Sequence, residues 1–268
     1  MQGICELEHL GTGWKPVLRK AMTAMVEQVP QTALETSSPA AVAIRGLGKW
    51  IDERPILQEI NLSIPAGQYV ALLGANGAGK STLLKILATL LPPTRGEIEL
   101  FGEALNRSST RVRARIGLIG HQAMLYRDLS ARENLEFFGR LYGVKNPEAR
   151  AMELLDAVGL AKRAEDPVKA FSRGMTQRMA ISRALMHEPQ LILADEPFAG
   201  LDAPSIRTVE QILHGLHLAK KTIVLVNHDI EQSLKLAERV IVMRGGRIIA
   251  DQTSAESNAE QILAEVSV

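Results

Sequence analysis

The sequence predicts an α/β fold: a sheet with a parallel core, covered by helices and interrupted by a helix-rich insertion. Three observations predict it. From residue 41 onward, short β-rich runs alternate with stretches of helical periodicity. A glycine-rich loop, Gly74 to Gly79, lies directly between one such strand and one such helix. Residues 123–185 carry three amphipathic helical patterns, which mark an inserted subdomain.

The elements follow in order. Residues 42–44, 58–64 and 68–73 read as strands, with Pro65, Ala66 and Gly67 as the turn before the third. Residues 82–91 have the apolar density of a buried helix, which Pro92 and Pro93 end. Helices at 132–142 and 147–158 have Gly143 and Gly159 near their ends, and a third at 176–186 runs up to Glu188 and Pro189. Strands at 191–194, 222–226 and 240–243 then alternate with helices at 206–218 and 230–237. The tail, 251–268, is polar from Ser254 and helical over 260–265. Residues 1–40 form an N-terminal extension that mixes Gly-, Pro- and Ser-rich stretches with a helical pattern over 17–28 and a linker at 36–39. Disorder and local helix both stay open there, and no function follows from it.

Composition excludes several classes. With 268 residues, 46% of them hydrophobic, the chain has enough apolar material for one or two compact domains. Lys plus Arg is 31 against 30 for Asp plus Glu, so a net charge of +1 gives no support to nucleic-acid binding through bulk charge. The longest apolar runs are short, as at Tyr69–Leu73, where a membrane-spanning helix needs about 20 residues. The opening residues lack the apolar core of a secretory signal. Cys5 is the single cysteine, so no internal disulfide or cysteine metal cluster can form, and the expected setting is a reduced cytosol.

The chemistry begins at Gly74, Ala75, Asn76, Gly77, Ala78, Gly79, Lys80 and Ser81, which match G-x-x-x-x-G-K-[ST]. Backbone N–H groups and a helix N-terminus form a concave anion site there, and glycine lets the backbone wrap phosphates. Lys80 is placed to reach the β- and γ-phosphates and Ser81 to hold Mg²⁺, with Thr82 completing the set. The strand at 191–194 runs into Asp195 and Glu196. Asp195 is expected to hold Mg²⁺, mainly through water, and Glu196 to polarise the attacking water.

With these two motifs the chain resembles an ATP-binding cassette (ABC) ATPase over about residues 41–250. Phe171, Ser172, Arg173, Gly174 and Met175 occupy the place of the family signature, Gly200, Leu201 and Asp202 the loop after the catalytic acid, His228 the switch histidine, and Gln122 the glutamine that joins sheet to helical subdomain. The resemblance implies a P-loop NTPase with an ABC-type core sheet and an inserted helical subdomain, hydrolysing ATP with Mg²⁺. Lys80, Glu196 and His228 would be catalytic, and Ser81, Gln122 and Asp195 would surround the metal. Ser172 and Gly174 would face the γ-phosphate of a second cassette. Two departures stand out. Trp50 is the nearest candidate for the aromatic that stacks on adenine, with Ile51 at the usual place, and Arg173 and Met175 replace the usual Gly and Gln of the signature.

The resemblance also implies a head-to-tail pair, as a homodimer or with a related cassette, and membrane-spanning permease subunits on other chains. The protein would then be cytoplasmic, peripheral on the inner face of the cell membrane. Residues 123–142 would receive the permease, with Tyr126, Phe137, Phe138 and Tyr142 as anchors, although core packing stays open for Phe137 and Phe138. The stretch from Gly120 to Leu135 is similar to the ATP-binding subunit of the haem exporter in cytochrome c maturation. The alternatives are a generic ABC-2-type exporter for a drug, lipid or polysaccharide and, from another class, a soluble non-transport ABC ATPase.

Overall fold

The computed structural model describes residues 40–105, 110–120 and 122–267. The N-terminal helix and linker expected from the sequence lie outside the described residues. In chain order the elements are β1 (Ala40–Ile51), β2 (Arg54–Pro65), β3 (Tyr69–Leu73), α1 (Lys80–Leu87), β4 (Arg95–Leu100), β5 (Glu103–Ala104), α2 (Thr110–Arg113), β6 (Ile116–Ile119), α3 (Ala131–Leu141), α4 (Pro147–Ala157), α5 (Arg173–Leu185), β7 (Leu191–Asp195), α6 (Ala203–Leu218), β8 (Thr222–Val226), α7 (Ile230–Leu236), β9 (Arg239–Arg244), β10 (Arg247–Thr253) and α8 (Ala259–Ser267). None of the described helices is long and apolar enough to cross a membrane.

The chain divides into two compact units. The first comprises the described residues of Ser37–Gln122, Glu188–Gly200 and Lys220–Val268 and holds both sheets. Its six-stranded sheet has the order β10-β9-β3-β8-β7-β6, parallel throughout except for β10, which pairs antiparallel with β9. β3 and β8 are buried along their whole length, as their unbroken apolar sequences require. The second sheet, β2-β1-β4-β5, is antiparallel. Leu47, Leu57 and Ile60 from that sheet share one core with Leu83 and Leu87 of α1 and with Val70, Val224 and Ile241 of the parallel sheet.

Several strands differ from the sequence reading, each for a physical reason. β1 is far longer than 42–44, because register shifts after Ile44 and Leu47 break the alternation that a strand pattern relies on. The β1–β2 turn holds Asp52 and Glu53 at φ 46 and 63, a conformation usually signalled by Asn-Gly. β4 opens on exposed Arg95, Gly96 and Glu97, β6 is only four residues, and β10 alternates as a half-exposed edge, so none stood out from its neighbours.

Ala123–His187 and Leu201–Ala219 form the second unit, all helical. Ser130 opens α3 with a capping box. Its Oγ accepts from Glu133 N–H at 3.1 Å, and Glu133 Oε2 accepts from Ser130 N–H at 2.8 Å. The fully buried Asn134 pins the preceding loop by bonding both Tyr126 N–H and Tyr126 C=O. α5 and α6 start three residues earlier than their apolar periodicity indicates, at Arg173 and Ala203. The cause is capping, by Ser172 and Asp202, while the larger buried apolar side chains begin only at Met179 and Val209.

Candidate nucleotide site

β3 ends at Leu73, and the chain must leave the sheet between crowded neighbours. Gly74 adopts φ 147, and a Cβ there would lie 2.2 Å from the carbonyl oxygen of Met243 in β9. Gly79, at φ 98, caps α1, and its missing Cβ makes room for Leu57 Cδ2. Gly77 is also left-handed at φ 82. Between them Ala75 C=O accepts from Ala78 N–H at 3.2 Å, closing the loop over the first turn of α1, where Lys80, Ser81 and the half-buried Thr82 sit. A glycine-rich loop running into a helix N-terminus is the arrangement that anion binding uses.

Lys80 is almost fully buried, and its Nζ donates to the carbonyls of Gly74 at 2.6 Å and Ala75 at 2.9 Å. Burial lowers its pKa below the ordinary lysine value, while the nearby Glu196 and Asp195 carboxylates pull the other way. Ser81 Oγ donates to Asp195 Oδ1 at 3.0 Å, so β7 delivers its acid to the start of α1. This pair of hard oxygen donors fits Mg²⁺. Glu196 follows in the left-handed region at φ 52, with its N–H bonded to Val226 C=O at the end of β8. That turn brings its Oε1 to 2.7 Å from His228 Nε2.

The structure therefore brings Lys80, Ser81, Asp195, Glu196 and His228 together around the loop. Trp50 and Gln122 are not part of this bonded set. The Trp50 indole lies 5.0 Å from the Arg95 guanidinium, in space left by Gly48, and Gln122 is exposed beyond β6.

In the helical unit, Ser172 is an exposed N-cap whose Oγ accepts from Met175 N–H. Gly174 is buried, and a Cβ on it would lie 2.2 Å from Ser205 Oγ. Asp202 Oδ1 accepts from Ser205 N–H, and hydrogen bonds from the Ser205 side chain and backbone hold the Asp202 carboxyl below its usual pKa. Arg178 donates to the Val158 carbonyl at 2.7 Å and is drawn electrostatically to Asp202. Sequence reasoning missed Ser205 and Arg178, which support the signature helix without belonging to a phosphate motif. It also missed Gly245 and Gly246, whose positive φ values make the β9–β10 turn and whose Gly246 N–H bonds Ala78 C=O in the phosphate loop. The Gly-Gly pair between two β-rich runs is a hairpin signal.

The comparisons agree with this geometry. The family model described as ABC transporter matches residues 57–199. The daunorubicin resistance ATP-binding protein DrrA3 of Streptomyces coeruleorubidus is 37% identical over 82% of this chain and 70% of its own length. The aliphatic sulfonates import ATP-binding protein SsuB 1 of Mesorhizobium japonicum is 38% identical over 82% of this chain and 81% of its own. Among solved structures, the dimeric post-hydrolysis state of the ATP-binding cassette MJ0796, bound to ADP and Pi, matches at TM-score 0.72 and 31% identity, over 80% of this chain and 98% of that one. A glycine-rich loop bonded through Ser81 to an acid-ended strand, with His228 against Glu196, in a chain so related, has one explanation: the chain belongs to the ABC transporter family, as an ATP-binding subunit that hydrolyses ATP.

Proposed function

We propose that this subunit powers an exporter of drug-like molecules, working as a head-to-tail pair with separate membrane-spanning subunits. The contact between Glu196 and His228, beside the bonded Ser81–Asp195 pair, carries the catalytic half of the proposal. Lys80 offsets charge on the β- and γ-phosphates of ATP. Ser81, Asp195 and Gln122 would hold Mg²⁺, which would supply positive charge against the phosphate oxygens. Glu196 orients a water for in-line attack on the γ-phosphorus and takes its proton as the bond to the leaving ADP oxygen breaks. His228 holds the γ-phosphate and the Glu196 carboxylate in one arrangement. Ser172 and Gly174 present the N-terminus of α5 to the nucleotide of the paired cassette. Trp50 stacks on adenine with the face turned from Arg95.

The transport half rests on the relatives. Similarity to a daunorubicin resistance protein over most of the chain supports export of a drug-like substrate. A sulfonate-import protein is also among the relatives, so the export direction rests on the drug-resistance relatives. Haem export keeps only the similarity of the Gly120 to Leu135 stretch in its support. Tyr126 and Phe137 suit a permease contact: they are 51% and 42% exposed and pack edge to face at 5.1 Å, a rigid aromatic surface that a partner helix can cover. Such docking places the subunit on the inner face of the cell membrane.

Inverted membrane vesicles carrying the chain with its membrane-spanning subunits test the proposal. ATP-dependent uptake of daunorubicin, lost with Glu196→Gln, is expected. ATPase activity that ignores the membrane subunits, or ATP-driven release in place of uptake, contradicts export.

A further inference from the structure

We propose that Asn227 is a positioning residue for hydrolysis, holding the His228 imidazole against Glu196; this rests on the catalytic assignment of Glu196 and His228 made above. Asn227 follows the last residue of β8, and only 6% of it is exposed. An amide so deeply buried is costly unless all its polar atoms are bonded, and this one is bonded at both ends. Its Oδ1 accepts from the His228 backbone N–H at 2.9 Å. Its Nδ2 lies 2.9 Å from Gln232 Oε1, 3.2 Å from Ser233 Oγ and 3.2 Å from the Asp229 carbonyl. Ser233 Oγ in turn donates to that carbonyl at 2.6 Å. One side chain therefore ties the backbone of His228 to the first turn of α7.

The same strand end fixes the other partner. Val226 C=O accepts from the Glu196 N–H at 2.9 Å, so Glu196 is referenced to the residue just before Asn227. With Glu196 anchored one residue upstream and His228 held one residue downstream, the 2.7 Å contact between their side chains depends on the path of the chain through Asn227. His228 itself is 47% exposed, so little packing holds its ring in place. Small misplacement of a group that acts on the transition state lowers turnover far more than it lowers substrate binding.

The test measures ATP affinity, steady-state kcat and KM, and melting temperature in the purified full-length chain. Asn227→Ala is expected to lower kcat about tenfold while the Kd for ATP and KM stay within about twofold. Asn227→Asp keeps the acceptor for the His228 N–H, and the Gln232 amide can turn over to donate to it. It is expected to recover at least about a third of wild-type kcat. Thr222→Val controls for stability: it removes the acceptor of the Gly67 N–H at the far end of β8 and is expected to lower the melting temperature with kcat unchanged. His228→Ala separates the two levels. If it hydrolyses ATP at the wild-type rate, the catalytic assignment fails. If it is slow while Asn227→Ala is normal, only the positioning role fails. Asn227→Asp no faster than Asn227→Ala, or a kcat loss reproduced by Thr222→Val at equal melting temperature, also overturns the proposal.

Discussion

Ser81 and Asp195 are hydrogen-bonded at 3.0 Å although 114 residues separate them in the chain. The bond joins the first turn of α1, which follows β3, to the end of β7, with β8 between the two strands in the sheet. Ser81 follows the fully buried β3 through the glycine-rich loop and Asp195 ends β7, whose other four residues are buried, so both oxygens are set by the rigid part of the fold. Preorganisation of this kind lets the transition state be met without rearrangement.

Lys80→Met is expected to abolish ATP binding, because the charge offsetting the phosphates is gone. The nucleotide-free variant should melt no lower than wild type. Burial lowers the Lys80 pKa despite Glu196 and Asp195, so the charged form is held at a net cost in the folded state. A depressed lysine pKa means the unfolded chain binds the proton more tightly. That cost is present below the folded pKa and fades as pH rises toward the ordinary lysine value. A clear fall in melting temperature at pH 7 contradicts it.

Glu133 gives a pH-dependent test of the capping box. Hydrogen bonds from the Ser130 backbone and side chain lower its pKa. A depressed carboxyl pKa contributes stability that is present above the unfolded value and lost as pH falls through the folded one. Glu133→Gln should therefore be less stable than wild type in urea at pH 7, and the gap should narrow once pH falls below the ordinary glutamate value and close below the lowered one. A gap that stays constant with pH means the charge is not what stabilises the start of α3.

The phosphate loop was legible because its residues are contiguous and each acts through local backbone geometry. The parallel sheet was legible for a similar reason: β8 is an unbroken apolar run and appears at the expected residues 222–226. Helix starts were less so, since α5 and α6 are opened by caps and their larger buried apolar side chains begin only at Met179 and Val209. What could not be read is what depends on long-range approach. Gly174 looks like a signature glycine in the sequence, yet its missing side chain also makes room for Ser205. Asn227 looks like an ordinary polar residue after a strand, and its bonds to His228, Gln232 and Ser233 emerge only once α7 folds back.

That packing also decides how to test the paired site. A charge at Gly174 would collide with Ser205, whereas Ser172 is exposed and Asp is itself a good N-cap. Ser172→Asp should keep α5 intact and place a negative charge beside the partner's γ-phosphate. Homodimers of Ser172→Asp or of Lys80→Ala should be inactive. Mixing the two in the complex with membrane subunits should restore part of the ATPase activity, since one site then collects both defects and the other none. No recovery, with heterodimer formation verified, contradicts head-to-tail pairing.

The most direct measurement is on Glu196→Gln, which keeps the shape of the side chain and its reach to His228 but loses the charge that polarises water. With ATP and Mg²⁺, binding affinity should stay at the wild-type level, phosphate release should fall at least about a hundredfold, and light scattering should show a stable dimer accumulating. Phosphate release at the wild-type rate would contradict the account, because Glu196 would not then be the group that acts on the attacking water.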